Sequence, residues 1–317
     1  MRAFDADALE CLATIVEEGG FERAAVRLSV TQSAVSQRLR TLEAQVGTVL
    51  LVRSRPLRPT TAGRLLIKHA VQLRLLRSDL ESDLQELTPG SQTQSEEDRI
   101  SIAINADSIA TWALPALSPL VDNGLPLEII TDDQDFTHEW LREGQVLGCV
   151  TTVKQALRGC KVLPLGEMHY VAIASRAFAQ RHCPQGLNAH NFRQMAFVAF
   201  NRKDDMQADF VGKALGLRRV ALSQRFVPSS EGQVRAVQAD WGASVVPQLL
   251  VQNQLDSGVL VNLVPSFSLP VSLYWHCWNL DSDVIDRLTQ ALSVAAQKVL
   301  RAPDILGSHK ITPLPKK

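Results

Sequence analysis

Three amphipathic segments crowded ahead of Gly47, the last two joined by a tight turn, constrain the fold of this chain more than any other feature. Asp7 to Glu18 carries apolar side chains at Leu9, Leu12, Ile15 and Val16, the spacing of one helical face, and Gly19-Gly20 ends the stripe. Glu22 to Leu28 presents Ala24, Ala25 and Leu28 as a second short helix. After Ser29-Val30, Thr31 is a natural N-cap for a third, in which Val35, Leu39, Leu42 and Val46 recur at three- and four-residue spacing before Gly47. Three helices with a tight second junction predict a helix-turn-helix. Val49 to Val52 then reads as a short strand, Arg53 to Pro59 as a basic loop and Thr60 to Gly63 as the entry to another helix, which together describe a wing.

The third helix hides Val35, Leu39 and Leu42, so its other side shows Gln32, Ser33, Ser36, Gln37 and Arg40, with Arg38 at the margin. Amides pair with adenine edges, arginine pairs with guanine, and small hydroxyls let a helix approach the groove floor. An ordinary solvated helix face carries the same residue types, and the wing tips the balance toward DNA. There Arg53, Arg55 and Arg58 are held apart by Pro56 and Pro59, which stiffen the loop and withhold ladder donors, leaving guanidinium groups for phosphate or the minor groove. The formal net charge is +0, yet ten Lys and Arg stand against one acid, Glu43, between Arg23 and Arg74, and seven acids with no base follow between Ser78 and Asp98. Only the first block is expected to contact phosphate.

From Thr61, Leu65, Leu66, Val71, Leu73, Leu76, Leu80, Leu84 and Leu87 sustain a helical pattern for about seven turns. A helix of that length between two domains predicts a homodimer seam ahead of packing on its own chain. Thr88 to Asp98, with Pro89-Gly90, reads as a solvated hinge. Beyond it, Arg99 to Asn105, Leu127 to Thr131, Gly148 to Thr152, Tyr170 to Ala174, Met195 to Phe200, Ala243 to Val246 and Val271 to Cys277 read as strands with helical patterns between most of them. This α/β texture predicts a mainly parallel sheet divided into two small lobes, crossed near Pro164 to His169 and Val264 to Pro270, with a ligand cleft at the strand ends.

Several classes are set aside by composition. The five cysteines, Cys11, Cys149, Cys160, Cys183 and Cys277, are odd in number and scattered, with no metal-ligand spacing, so buried reduced thiols and no metal are expected. No apolar run reaches the length of a membrane span and Met1 to Leu9 is too charged for a signal peptide, which predicts a cytoplasmic protein with no membrane partner. Seven histidines are present, but none lies in a HExxH, GxSxG or P-loop pattern, and His138, His169 and His276 have no acid or cysteine at a diagnostic spacing. No catalytic residue is assigned, and an enzyme is not expected.

The stretch Gly20-Phe21-Glu22-Arg23-Ala24-Ala25, Leu28, Thr31-Gln32-Ser33-Ala34-Val35-Ser36-Gln37, Leu42-Glu43, Gly47 and Thr61-Ala62-Gly63 resembles the LysR-type transcriptional regulators. Further stretches resemble one group among them, the arginine and lysine exporter regulators (ArgP, IciA and LysG): Arg58-Pro59-Thr60, Asn105-Ala106-Asp107-Ser108, Thr111-Trp112, Asp133-Gln134-Asp135, Val150-Thr151-Thr152, Phe200-Asn201-Arg202-Lys203-Asp204-Asp205, Pro228-Ser229-Ser230-Glu231 and Tyr274-Trp275-His276. The resemblance implies a winged helix-turn-helix over 1–60, a dimerising linker helix over 61–87 and a hinge over 88–98. A two-lobed effector-binding domain like the periplasmic binding proteins follows over 99–300, with lobe I at about 99–165 and 268–300 and lobe II at about 166–267, before a tail over 301–317. It further implies double-stranded DNA and RNA polymerase as partners, a homotetramer, no cofactor, and lysine or arginine as the effector of a regulator controlling an amino-acid exporter.

On this reading Ser108 and nearby amides, at a helix start, would hold the effector's carboxylate, and Thr111, Thr151, Thr152 and Ser229 would line the cleft. Asp107, Glu231 and Asp204 are the acceptors on offer for its cationic groups. Simple helix capping explains Asp107 and Ser108 equally well, and Glu231 reads as a solvated first-turn acid. The segment Ala239 to Pro247 departs from the group's Gly-x-Gly turn, since Asp240-Trp241-Gly242 puts an aspartate where positive φ is wanted. A binder of DNA alone, of nucleoid or replication-origin type, is the alternative.

Overall fold

The computed structural model describes residues 4–54, 56–87, 99–131 and 137–302. The chain opens with α1 (Ala6–Glu17), α2 (Phe21–Arg27), α3 (Gln32–Val46), β1 (Leu51–Val52), β2 (Arg58–Pro59) and α4 (Thr61–Leu87). Next come β3 (Ile100–Ala103), α5 (Ala106–Ser108), a π-helical turn (Ile109–Ala113), α6 (Leu114–Asp122), β4 (Leu127–Ile130), α7 (Thr137–Glu143) and β5 (Gly148–Thr151). The remainder is β6 (Cys160–Ser175), α8 (Arg176–His182), β7 (Ala196–Ala199), α9 (Met206–Leu215), β8 (Ser223–Phe226), α10 (Ser230–Gln238), β9 (Ser244–Pro247), α11 (Gln248–Asp256), β10 (Leu260–Asn262), β11 (Leu269–Trp278) and α12 (Asp283–Val299). The described residues form two compact units, one within Met1–Asn105, Pro115–Leu163 and Trp275–Leu292, the other within Ala106–Leu114, Pro164–Tyr274 and Ser293–Lys317.

In the first unit, α1 to α3 fold because each buries one stripe in a shared core: Leu9, Leu12 and Ile15, then Ala24 and Ala25, then Val35, Leu39 and Leu42, closed by Ile67 and Ala70 of α4. Thr31 Oγ1 accepts from Ala34 N at 3.2 Å, and α3 ends at Gly47, whose φ of 81° an L-residue adopts only with strain. Glu43 Oε1 accepts from Leu50 N at 2.9 Å and ties α3 to the wing. The loop expected over Arg53 to Pro59 is shorter than its basic composition suggests, because Arg58 and Pro59 pair antiparallel with Val52 and Leu51. Proline deprives a ladder only of its donor, and Thr60 N supplies the next bond to Leu50 O at 2.9 Å. Arg74, with a side chain only 11 % exposed, fastens α4 to α1 through Glu10 at 2.5 Å and Glu17 at 3.0 Å. The strands of this unit centre on β3, parallel to β4 and β5, over buried Ile102, Val150, Leu117, Trp275, Trp278, Leu288 and Leu292.

The second unit is built differently. Here β6 pairs antiparallel with β9 and β10, and β7 pairs parallel with β8, over Val171, Ile173, Val198, Val234, Val237, Val246 and Leu260. The mainly parallel sheet expected from sequence is therefore mixed, because apolar runs report that both faces are buried and say nothing of strand direction. His169 Nδ1 lies 2.9 Å from Ser268 Oγ and its Nε2 is 4.0 Å from Glu167 Oε2, a tie between β6 and the residue that leads into β11. Asp240 has a φ of 62°, in the left-handed region, and its carboxylate is taken up by Ser175 Oγ and the Arg181 guanidinium, which offset that strain.

Candidate functional site

The exposed side of α3 presents most of the residues that the sequence reading expects to meet DNA. Gln32, Ser33, Gln37 and Arg40 are exposed and Ser36 is half-buried, while Gln32 Nε2 donates to Ser36 Oγ at 3.2 Å and Ser33 Oγ shares a 2.9 Å hydrogen bond with Thr31 Oγ1. Arg38 turns away from this face. Its guanidinium lies 3.2 Å from Asp7 and 3.9 Å from the Cys11 sulfur, so it packs back on α1. On the wing, Arg58 is exposed, and Arg53 stands 5.5 Å over the ring of Phe21 at the start of α2. That cation–π contact fixes Arg53 between wing and helix, which no local pattern announces. Arg55, the hinge 88–98, Asp133-Gln134-Asp135 and nearly all of the tail lie outside the described residues.

In the second unit the centre of interest is Asp107. One carboxylate oxygen accepts from Tyr170 OH at 2.6 Å and the other from Ser230 Oγ at 2.6 Å. Tyr170 and Ser230 were missed by sequence reading. Alternation shows Tyr170 only as a strand residue, and Ser230 stands between Ser229 and Glu231, the residues of that segment expected to meet the ligand. Next to Asp107, Ser108 is fully buried and its Oγ has no hydrogen-bond partner, and one turn on the buried Trp112 Nε1 has none either. Two buried donors one helical turn apart, beside a π-helical segment, form a polar face that a well-packed core would not leave unsatisfied. Thr111 Oγ1 donates to Asp107 O at 2.6 Å, a bond within its own helix.

The other expected ligands are engaged locally. Asp204 accepts from Phe200 N and Met206 N, both at 2.9 Å, and so shapes its own loop. Ser229 caps α10 by accepting from Gly232 N at 3.1 Å, and Glu231 is exposed in the first turn of that helix. Thr151 and Thr152 belong to the first unit, where Thr151 Oγ1 accepts from Val153 N at 3.3 Å. All five cysteines are free thiols, and burial pushes each above the ordinary thiol value, the opposite of what a reactive thiolate needs. Among the described residues no group of three or more His, Cys, Asp or Glu is placed to hold a metal ion, and no helix is long and apolar enough to cross a membrane.

Residues 6–64 match the bacterial regulatory helix-turn-helix protein, lysR family, and residues 93–296 match the LysR substrate binding domain. The HTH-type transcriptional regulator LysG of Mycobacterium tuberculosis is 42 % identical over 297 residues, 94 % of this chain and 95 % of that protein. The crystal structure of ArgP from Mycobacterium tuberculosis superposes with a TM-score of 0.82 at 40 % identity, covering 95 % of this chain and 100 % of that one. Full-length LysG from Corynebacterium glutamicum with bound effector Arg gives a TM-score of 0.73 at 32 % identity over 94 % of this chain and 99 % of that one. These relatives are regulators and not enzymes, and the chain, with its helix-turn-helix head and its effector-binding domain, belongs to the LysR family of transcriptional regulators.

Proposed function

We propose that this regulator responds to a basic amino acid, arginine or lysine, and controls an amino-acid exporter from the cytoplasm. The observation that carries the reading is the similarity, across nearly the whole chain, to a LysG with bound effector Arg. The Asp107 cluster supports it chemically. A carboxylate oriented by two hydroxyls is a ready acceptor for an ammonium or guanidinium group, and the Ser108 and Trp112 donors suit the ligand's carboxylate. Thr111 is proposed to line the site, with Asp204 and Ser229 shaping it and Glu231 at its margin.

On the DNA side, Gln32, Ser33, Ser36, Gln37 and Arg40 are proposed to read bases, and Arg53, Arg55 and Arg58 to meet phosphate. Leu65, Leu73, Leu76, Leu80 and Leu84 of α4 are exposed, which supports a homodimer along that helix, and a homotetramer that engages RNA polymerase is proposed from it.

Calorimetry on the full chain with L-arginine, L-lysine and L-citrulline tests the ligand assignment, because citrulline keeps arginine's shape without its charge. The two basic amino acids should bind and citrulline should bind much more weakly. Asp107→Asn should lose on the order of 1.5–3 kcal/mol for arginine, the worth of a charge-assisted hydrogen bond. Failure of both basic amino acids to bind at millimolar concentration would overturn the effector assignment and favour a regulator of DNA alone.

A further inference from the structure

Two glycines of the first unit terminate helices in the same way, yet only one has a second reason to be glycine. After α6, Gly124 N bonds to Val121 O at 2.9 Å and Leu125 N to Leu120 O at 3.0 Å; after α7, Gly144 N bonds to Leu141 O at 3.2 Å and Gln145 N to Trp140 O at 3.0 Å. Both are Schellman endings, with φ of 85° and 78°. A Cβ on Gly124 would meet nothing within 4 Å, whereas a Cβ on Gly144 would lie 2.5 Å from both Cα and Cβ of Lys68, in the N-terminal third of α4. Backbone of the effector-binding domain therefore touches backbone of the linker helix at this point. Helix termination demands one property of Gly144, and α4 demands another.

The contact is not isolated. Further along α4, about 16 Å from Lys68 at 1.5 Å per residue, Asp79 accepts a hydrogen bond from Ser282, the residue just before α12. Burial, with Asp283 and Asp83 adding to it, pushes the Asp79 carboxyl above its ordinary value against the opposing Ser282 bond. Beside the Gly144 turn lies a cavity of about 280 Å³, bordered by Val16 of α1, Ile67, Val71 and Arg74 of α4, and Trp140 and Val146 around the turn. The Arg74 ion pairs to Glu10 and Glu17 bind α4 to α1, so a displacement of α4 carries the helix-turn-helix core with it.

We propose that Gly144 is a positioning residue: its turn is the joint through which the effector-binding domain sets the position of the linker helix, and so the presentation of α3 to DNA. The proposal rests on the effector-responsive reading above. Gly144→Ala and Gly124→Ala impose the same left-handed backbone strain, and only the first pushes on α4. The full chain is titrated with a duplex it selects from a random pool, with and without L-arginine or L-lysine, and amide hydrogen exchange is followed along α4. Gly144→Ala should change the ratio of DNA affinities with and without amino acid by about 2- to 30-fold relative to Gly124→Ala, while the amino-acid affinity of the DNA-free chain stays level. It should also speed exchange around Lys68 where Gly124→Ala does not. Asp79→Asn, which leaves the backbone alone and removes a charge disfavoured at the second contact, should move both readouts the other way, and it decides the matter if Gly144→Ala fails to fold. Equal ratios and equal exchange in the two glycine variants, or wild-type behaviour of Asp79→Asn where Gly144→Ala does not fold, would overturn the proposal. A wild-type ratio of one with both amino acids would overturn the effector reading instead, and the exchange measurement would still decide whether the joint exists.

Discussion

The proposed DNA-reading surface and the Asp107 cluster differ in how far along the chain their parts are gathered. On α3 the exposed Gln32, Gln37 and Arg40 alternate with the buried Val35, Leu39 and Leu42, so the same short segment supplies both display and anchor. Asp107 instead takes one hydroxyl from Tyr170, 63 residues away, and one from Ser230, 123 residues away. A surface built on one helix tolerates change at one position without loss of its neighbours. A half-buried carboxylate held by buried hydroxyls from distant partners does not, since removing one donor weakens the hold on a partly desolvated acceptor.

The largest effect should come from the head. Ser36→Ala with Gln37→Ala leaves the buried stripe of α3 intact, so the chain should fold normally while losing on the order of 2–6 kcal/mol of discrimination, two contacts at about 1–3 kcal/mol each. Titration against selected and scrambled duplexes at fixed salt measures this, and an unchanged specificity ratio would mean that α3 does not read bases. Next, Tyr170→Phe removes one hydroxyl from Asp107 and should cost about 1–3 kcal/mol in urea unfolding together with a loss of arginine affinity. If stability and affinity are both untouched, the cluster is not a closed unit and the contrast with the head fails.

Smaller effects sharpen the division inside the head. Arg53→Ala should weaken selected and scrambled DNA alike and flatten the salt slope by roughly 0.9, one phosphate contact, whereas collapse of specific binding alone would make the wing a base reader. Arg38→Ala should be the mildest. Its partner Asp7 is well exposed, so the ion pair is worth about 0.2–1 kcal/mol, and specificity should not change because the side chain faces α1. A loss of discrimination would place Arg38 back among the base-reading residues.

The same contrast explains what the sequence discloses. Helices α1 to α4 could be read because their apolar residues repeat at helical spacing within each segment, and Thr31 and Gly47 mark the ends of α3 by their chemistry. Arg38 sits at the edge of the helical stripe, where periodicity cannot choose between solvent and α1. Strand β8 left no trace, since Ser223, Arg225 and Phe226 are exposed and nothing alternates, and β10 is only three residues long. The π-helical turn after Ser108 was also hidden, because Ile109–Ala113 has the composition of an ordinary helix. Asp107 was legible as a carboxylate near a helix start. Its partners were not, because hydrogen bonds across many tens of residues write no pattern into the chain.

On the proposed function, DNA binding by the winged head depends on an amino acid bound through the Asp107 cluster. The decisive measurement is a titration of the full chain with its selected duplex at fixed salt, in the absence and presence of saturating L-arginine or L-lysine. For at least one of the two, the wild-type affinity should shift by about 5- to 150-fold and the shift should disappear in Asp107→Asn, whose affinity without amino acid stays at the wild-type value. Superimposable wild-type curves with and without both amino acids, or a shift that survives in Asp107→Asn, would contradict it.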